Sequence, residues 1–182
     1  MAIFSRIPKW AALAPVYAVI VFIVYSWTLL NFFWVYPSWL YFLNIGEILN
    51  VLAYSLATNF LESLVVLAAP VVVAVVLPQK WFYDAFIAKG LALVLPGLGY
   101  MMYVAFQFQS KLDYPSEALD WFPVVLAGTL LLVFLVGRAR LLRKVIEVIA
   151  DRATIFLYLS IPASLLSILA VVVVLAWRWL NA

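Results

Sequence analysis

Residues 10–33 read WAALAPVYAVIVFIVYSWTLLNFF and contain no charged side chain. The hydrocarbon core of a bilayer is about 30 Å thick, and about 20 apolar residues in an α-helix cross it. The stretch follows the basic residues Arg6 and Lys9, but no small-residue cleavage site comes after it, as it would in a signal peptide. We therefore predict an uncleaved transmembrane helix over residues 10–33.

The composition of the whole chain of 182 residues has the same character. Hydrophobic residues make up 69% and charged residues 10%, whereas soluble domains have roughly 45–50% and about 25%. Too few polar side chains remain to cover a surface that faces water. The sequence predicts an all-α, multi-pass integral membrane protein, located in the cytoplasmic or inner membrane if the source is bacterial.

Four further apolar stretches are long enough to cross a bilayer: residues 56–78, 85–109, 121–137 and 153–177. Together with 10–33 they predict a bundle of five transmembrane helices in one domain, 1–182. Residues 46–58 and 138–152 are amphipathic, and the second of these either lies on the membrane or continues the preceding span outward. The aromatic-rich residues 34–44 contain Pro37, which we expect to end the first helix at the outer interface. Asp120 and Pro123 are expected to cap and begin the fourth span.

The basic residues predict an orientation. With the N-terminus in the cytosol, nine of the eleven fall on the cytosolic side: Arg6, Lys9, Lys80, Lys89, Arg138, Arg140, Arg143, Lys144 and Arg152. Only Lys111 and Arg178 fall outside. Cytosolic loops carry an excess of Lys and Arg, so we predict that the N-terminus is inside and the C-terminus outside.

Two residue types that carry much of protein chemistry are missing, because the chain has no Cys and no His. It therefore lacks thiolate and imidazole ligands for metals and haem, and the commonest general base near neutral pH. We predict no catalytic residue, no metal site, no cofactor and no soluble substrate. The excess of basic residues lies in short loops, so it predicts orientation in the membrane rather than nucleic-acid binding.

A polar stripe is the most suggestive feature of the second helical stretch. It consists of Glu47, Asn50, Tyr54, Thr58 and Glu62, whose spacings of three and four residues place them on one helical face. Ionisable groups inside a bilayer are costly and usually face a cavity or a partner. The stripe is either the wet side of an interfacial helix or an oxygen-rich path for a cation or proton.

A helix-breaking run lies in the predicted third span, where Pro96, Gly97 and Gly99 follow one another closely. Pro removes a backbone donor, so we expect a kink or a broken helix here. Transporters use such breaks to bind substrate, but the same residues also make simple packing kinks.

Two smaller groups also have alternative interpretations. The basic cluster Arg138, Arg140, Arg143 and Lys144 is either the orientation signal alone or a contact for anionic lipid headgroups. Ser160, Ser164 and Ser167 lie on one face of the last span. We expect them to allow close helix packing rather than to supply a nucleophile, since no His is present as a base.

Three function classes follow from this inventory. The first is a non-catalytic subunit that packs against other integral membrane proteins and lipids. The alternatives are a small ion or solute channel or transporter that acts as an oligomer, and a lipid-handling membrane protein. Valine-rich runs over Val65–Val76 and Val171–Val174 favour the first, because side chains that are stiff at χ1 lose little entropy against a fixed partner.

Overall fold

A computed structural model describes residues 8–107 and 119–180, and all the regular structure within them is helical. The helices in chain order are α1 (Trp10–Trp39), α2 (Ile45–Val76), α3 (Gln79–Phe82), α4 (Phe86–Gln107), α5 (Phe122–Arg138), α6 (Arg140–Ala153) and α7 (Ile155–Leu180). A 3-10 turn, Tyr83–Ala85, joins α3 to α4. The all-α prediction is confirmed. Arg6, Lys111 and residue 109, the predicted end of the third span, lie outside the described residues.

Four helical segments in the described residues are long and apolar enough to cross a membrane: α1, α2, Tyr83–Gln107 and α7. A fifth is counted if α5 and α6 form one span, but these two helices meet at an angle of 101°. The described residues therefore contain four or five potential spans, and the predicted orientation stays a prediction.

Helix α1 is longer than expected, because it continues through Pro37 to Trp39. The predicted end near residue 33 is wrong. Phe32 packs edge-on against Trp39, with ring centroids 5.3 Å apart, and lies 6.2 Å from the Tyr36 ring. These contacts join successive turns of the helix, and proline is tolerated in membrane helices, where neighbouring groups satisfy the backbone that it leaves unpaired.

Helix α2 is a single element of 32 residues, so residues 46–58 are continuous with the apolar half rather than a separate surface helix. Its start is fixed by a reciprocal capping box. The Asn44 side-chain oxygen accepts the Glu47 N–H at 2.9 Å, and a Glu47 carboxylate oxygen accepts the Asn44 N–H at 2.8 Å. At 1.5 Å per residue the helix is about 48 Å long.

Helix α4 runs from Phe86 to Gln107 with Pro96 inside it, so Pro96, Gly97 and Gly99 do not divide it into two helices. The alternative of a kink at Pro96 stays a prediction. A Cβ atom placed on Gly97 or Gly99 would have no neighbour within 4 Å, so neither glycine permits a close approach. A membrane helix can continue through proline because neighbouring groups and local adjustments satisfy the backbone groups that it frees.

Helix α5 begins after Trp121, whose side chain makes no capping hydrogen bond, with Pro123 in its first turn. The predicted cap at Asp120 is wrong. An N-cap side chain bonds the N–H of the second or third helical residue, and for Asp120 the third would be Pro123, which has none. The helix ends at Arg138, and the next residue, Ala139, is extended. The Ala139 N–H still donates to the Leu135 carbonyl at 2.8 Å. Helix α6 is therefore not a straight continuation of α5.

The chain packs as two compact units. Unit 1 holds the described residues up to Val16 and those from Val66 to Arg152, and unit 2 holds Tyr17–Val65 and the described residues from Ala153 onward. In unit 1, helices α4 and α5 pack on each other. Their shared core is Ala88, Ala92 and Val136, with Val133 and Ile146 against it. Small residues at this contact let the helix backbones approach closely.

Candidate functional site

The polar stripe on α2 lies on the outer side of that helix. Glu47, Tyr54, Thr58 and Glu62 are exposed and Asn50 is half-buried, whereas Asn59 and Ser63 are buried. Glu47 is used in the capping box at the helix start. Glu62 has no hydrogen bond or ion pair to the described residues, so the stripe is not gathered into an internal site.

A layer of buried hydroxyl and amide groups in unit 2 links α1 to α2. The Tyr17 and Ser63 hydroxyls are 3.2 Å apart, and the Thr28 hydroxyl donates to the Asn59 side-chain oxygen at 2.9 Å. Hydrogen bonds between membrane helices contribute about 0.6 kcal/mol on average. Two such bonds stabilise the pair of helices modestly and fix which faces meet.

The serine face of α7 is buried, as predicted for close helix packing. The Ser164 hydroxyl donates to the Ser160 carbonyl one turn earlier, and it also contacts the Tyr25 hydroxyl. The Tyr25 hydroxyl also lies 3.4 Å from the Leu56 carbonyl oxygen, an acceptor for its proton, so this group of hydroxyls joins α1, α2 and α7. The hydrogen-bond partners of Ser164 in the described residues are a tyrosine hydroxyl and a backbone carbonyl, which fits the packing role expected for this serine face.

A cavity of about 370 Å³ lies in unit 2 beside this hydroxyl chain. Its lining residues are Val21, Phe22, Tyr25, Ser26, Leu29, Leu52, Leu56, Phe156, Leu159, Ser160 and Ala163. None of them is charged. The Ser160 hydroxyl is buried and has no hydrogen-bond partner among the described residues. The same is true of the side-chain nitrogen of Asn59, elsewhere in the unit. The cavity suits an apolar group rather than an ion.

The basic cluster does not form one site. The Arg143 Nε lies 2.8 Å from the Glu147 carboxylate, one turn later in the same helix, and the Arg143 guanidinium also donates to the Asp84 carbonyl. Arg140 and Lys144 are exposed. Arg138 instead extends over the Phe134 ring, 5.4 Å from its centroid, at the end of α5.

A second cavity, the α4–α5 crevice, lies in unit 1 and has a volume of about 420 Å³. It is lined by Leu77, Trp81, Phe82, Lys89, Leu130, Val133, Phe134, Gly137 and Arg138. The Lys89 ammonium donates to the Trp81 carbonyl. A Cβ on Gly137 would lie 3.1 Å from the Lys89 Cε, so the lysine stem runs closely past the last turn of α5 because that residue is glycine.

Sequence reasoning missed both the hydroxyl layer and the α4–α5 crevice. A signal for the first was present, since Tyr17 and Tyr25 are eight residues apart within an uncharged span and so project on similar sides of α1. The crevice joins residues far apart in the chain, such as Lys89 and Arg138, and no local pattern connects them.

The described residues contain no group of three or more acidic side chains that could hold a metal ion. Compared with family models, with curated proteins and with solved structures, the chain matches none.

Proposed function

We propose that this protein is a multi-pass integral membrane protein that serves as a non-catalytic subunit of a larger membrane assembly, with the outer side of α2 as its docking face. The supporting observation is the exposed carboxylate of Glu62 on a continuous helix. Helix rise places Glu62 about 25 Å from the Ile45 end and about 21 Å from the Val76 end. A membrane-spanning α2 therefore carries Glu62 within the hydrocarbon layer, which is about 30 Å thick.

A charge in this position needs a partner. Insertion scales assign about 2.5–3.5 kcal/mol to a charged side chain at the centre of a membrane helix. Polar and ionisable residues in such helices face a bundle interior or a cavity, and pair with other groups. The described part of this chain offers Glu62 no partner, so a second polypeptide that brings a donor or a cation relieves the cost.

The neighbouring apolar surface fits the same role. Val65, Val72 and Val76 are all exposed on α2, with exposed fractions of 72%, 57% and 73%. β-branched side chains are held in one rotamer in a helix, so they lose little entropy when a partner packs on them. The stripe then supplies specificity and the valines supply contact area.

The first test is purification from the native membrane with the wild type and Glu62→Leu. We expect the wild type to migrate in native electrophoresis with a second polypeptide in fixed stoichiometry, and Glu62→Leu to lose it. Leu64→Ala, which changes an exposed residue on the side of α2 away from Glu62, is the matched control and should retain the partner. A wild type that runs only as a monomer or homo-oligomer would exclude the subunit role.

The second candidate function is an ion path formed by several copies of this chain. It is favoured by the line of oxygen-bearing side chains on the outer side of α2, which would face one another in a homo-oligomer: half-buried Asn50 and exposed Tyr54, Thr58 and Glu62. Flux into liposomes that contain the purified protein alone distinguishes it from the first. Flux that falls with Glu62→Gln would favour this candidate, and no flux above empty liposomes would remove it.

A further inference from the structure

The α4–α5 crevice combines apolar walls with two cationic side chains. Leu130, Val133 and Phe134 of α5 form one wall, and Phe82 contributes an aromatic ring. Its volume of about 420 Å³ falls within the range of roughly 300–1,000 Å³ that is typical of sites for small ligands. Such a surface is suited to an apolar chain.

The two cations retain hydrogen-bonding capacity. Lys89 gives one of the three protons of its ammonium to the Trp81 carbonyl, which leaves two. Arg138 stacks on Phe134 through its guanidinium, a contact that leaves the N–H groups at its edge open. No carboxylate is among the residues that line the crevice. The net charge of its polar end is therefore positive.

Trp81 adds the third feature. It is exposed over 73% of its surface, next to the crevice and within the run Trp81, Phe82, Tyr83. Tryptophan and tyrosine are enriched at the level of lipid headgroups, where one end of the ring is wet and the other apolar. This residue places the cationic end of the crevice at the headgroup level and the α5 wall at the level of the acyl chains.

We propose that the α4–α5 crevice binds one anionic phospholipid. Lys89 and Arg138 hold its phosphate, and an acyl chain lies against Leu130, Val133 and Phe134. Gly137 gives the Lys89 stem room to pass, because a Cβ there would lie 3.1 Å from the Lys89 Cε. The site lies within unit 1, and it is independent of the docking face proposed for α2.

The geometry separates this site from a general attraction of basic residues to anionic membranes. Arg143 is engaged by Glu147 and the Asp84 carbonyl, while Arg140 and Lys144 do not line the crevice. Of the basic cluster Arg138, Arg140, Arg143 and Lys144, only Arg138 lines the crevice and belongs to the proposed site. Removing charge from the crevice and from the neighbouring helix should therefore have different effects.

The test is native mass spectrometry of the delipidated full chain, titrated with dimyristoyl phosphatidylglycerol and with phosphatidylcholine of the same chains. We expect the wild type to bind the anionic lipid more tightly. Each basic residue near a membrane surface contributes about 1 kcal/mol of attraction, which corresponds to a roughly five-fold change in affinity. The double variant Lys89→Gln with Arg138→Gln should therefore lower the affinity for phosphatidylglycerol by roughly 25-fold.

Two controls isolate the site. Arg140→Gln with Lys144→Gln removes the same charge from α6 and should change the affinity less than twofold. Leu130→Trp fills the crevice without changing charge and should weaken both lipids, whereas soluble glycerol phosphate should not displace the bound lipid. Circular dichroism checks that each variant keeps its helical content.

Three outcomes would overturn the proposal. Equal affinity of the wild type for the two lipids would show that Lys89 and Arg138 do not recognise an anionic headgroup. An equal loss of affinity in the α6 control variant would show that general surface charge, and not the crevice, attracts the lipid. Unchanged binding in Leu130→Trp would show that no acyl chain occupies the crevice.

Discussion

Asn44 and Glu47 show how much a pair of side chains decides at the start of a helix. The first N–H groups of any helix have no partner within it, and here each of the two side chains satisfies a backbone N–H of the other residue. The box fixes where α2 begins. It thereby fixes the helical position of every later residue, including Glu62.

Asn44→Ala should lower the free energy of unfolding by about 1 kcal/mol, because it removes the N-cap acceptor of α2. Unfolding in mixed micelles, followed by far-UV circular dichroism as the fraction of denaturing detergent rises, measures the difference. Asn50→Ala is the matched control, since it removes the same side chain from the same helix at a half-buried position. It should change stability by less than about 0.5 kcal/mol. Equal effects of the two substitutions would contradict a capping role.

At the scale of elements, α6 presents three different sides. Ile146 and Ala150 face the packed interior of unit 1, and Ala150 is fully buried. Leu141 and Val145 are exposed. Leu141 is nine positions before Ala150, which places it about half a turn away from the packed side of the helix. Lys144 lies on the charged side. A helix with an unburied apolar side and a basic side suits the surface of a membrane.

A nitroxide attached to a single Cys should therefore report different surroundings at two adjacent positions of α6. At Val145 we expect collisions with oxygen, which concentrates in lipid, to dominate, and at Lys144 collisions with a water-soluble nickel complex. The chain has no native Cys, so each label is unambiguous. Similar accessibility to the two reagents at both positions would show that α6 does not lie along the interface.

The helices themselves were predictable from the sequence, while several of their ends and both cavities were not. Long uncharged stretches decide which residues are helical, and α2 and α7 fall close to where hydrophobicity places them. Pro37 misled the prediction of where α1 ends, because rules drawn from soluble helices overstate how strongly proline interrupts a helix in lipid. The capping box at Asn44 was readable but passed unnoticed. The α4–α5 crevice depends on tertiary packing between residues about fifty apart, which no local pattern encodes.

At the scale of the whole molecule, the status of α5 decides on which side of the membrane the chain ends. α5 has 17 residues, the lower limit for a span, and a fifth span is counted only if α5 and α6 together form one. An odd number of spans places the two ends of the chain on opposite sides, and an even number places them on the same side.

We expect Cys residues at positions 9 and 179 to be labelled from opposite sides, with position 9 cytosolic. A membrane-impermeant maleimide applied to intact cells should modify position 179 alone, and position 9 should react only after permeabilisation. The excess of Lys and Arg on the predicted cytosolic side is the physical basis for this expectation. Labelling of both positions from one side would reduce the spans to four.

The unequal lengths of the helices have a consequence for the lipid around them. At 1.5 Å per residue, α2 measures about 48 Å and α5 about 26 Å. No single bilayer thickness matches both, so hydrophobic mismatch is built into the chain, at a cost of fractions of a kcal/mol for each ångström. Long helices reduce mismatch by tilting or in thicker bilayers, and short ones by thinning the lipid beside them. The protein should therefore deform the membrane locally and distribute unevenly between lipid regions of different thickness.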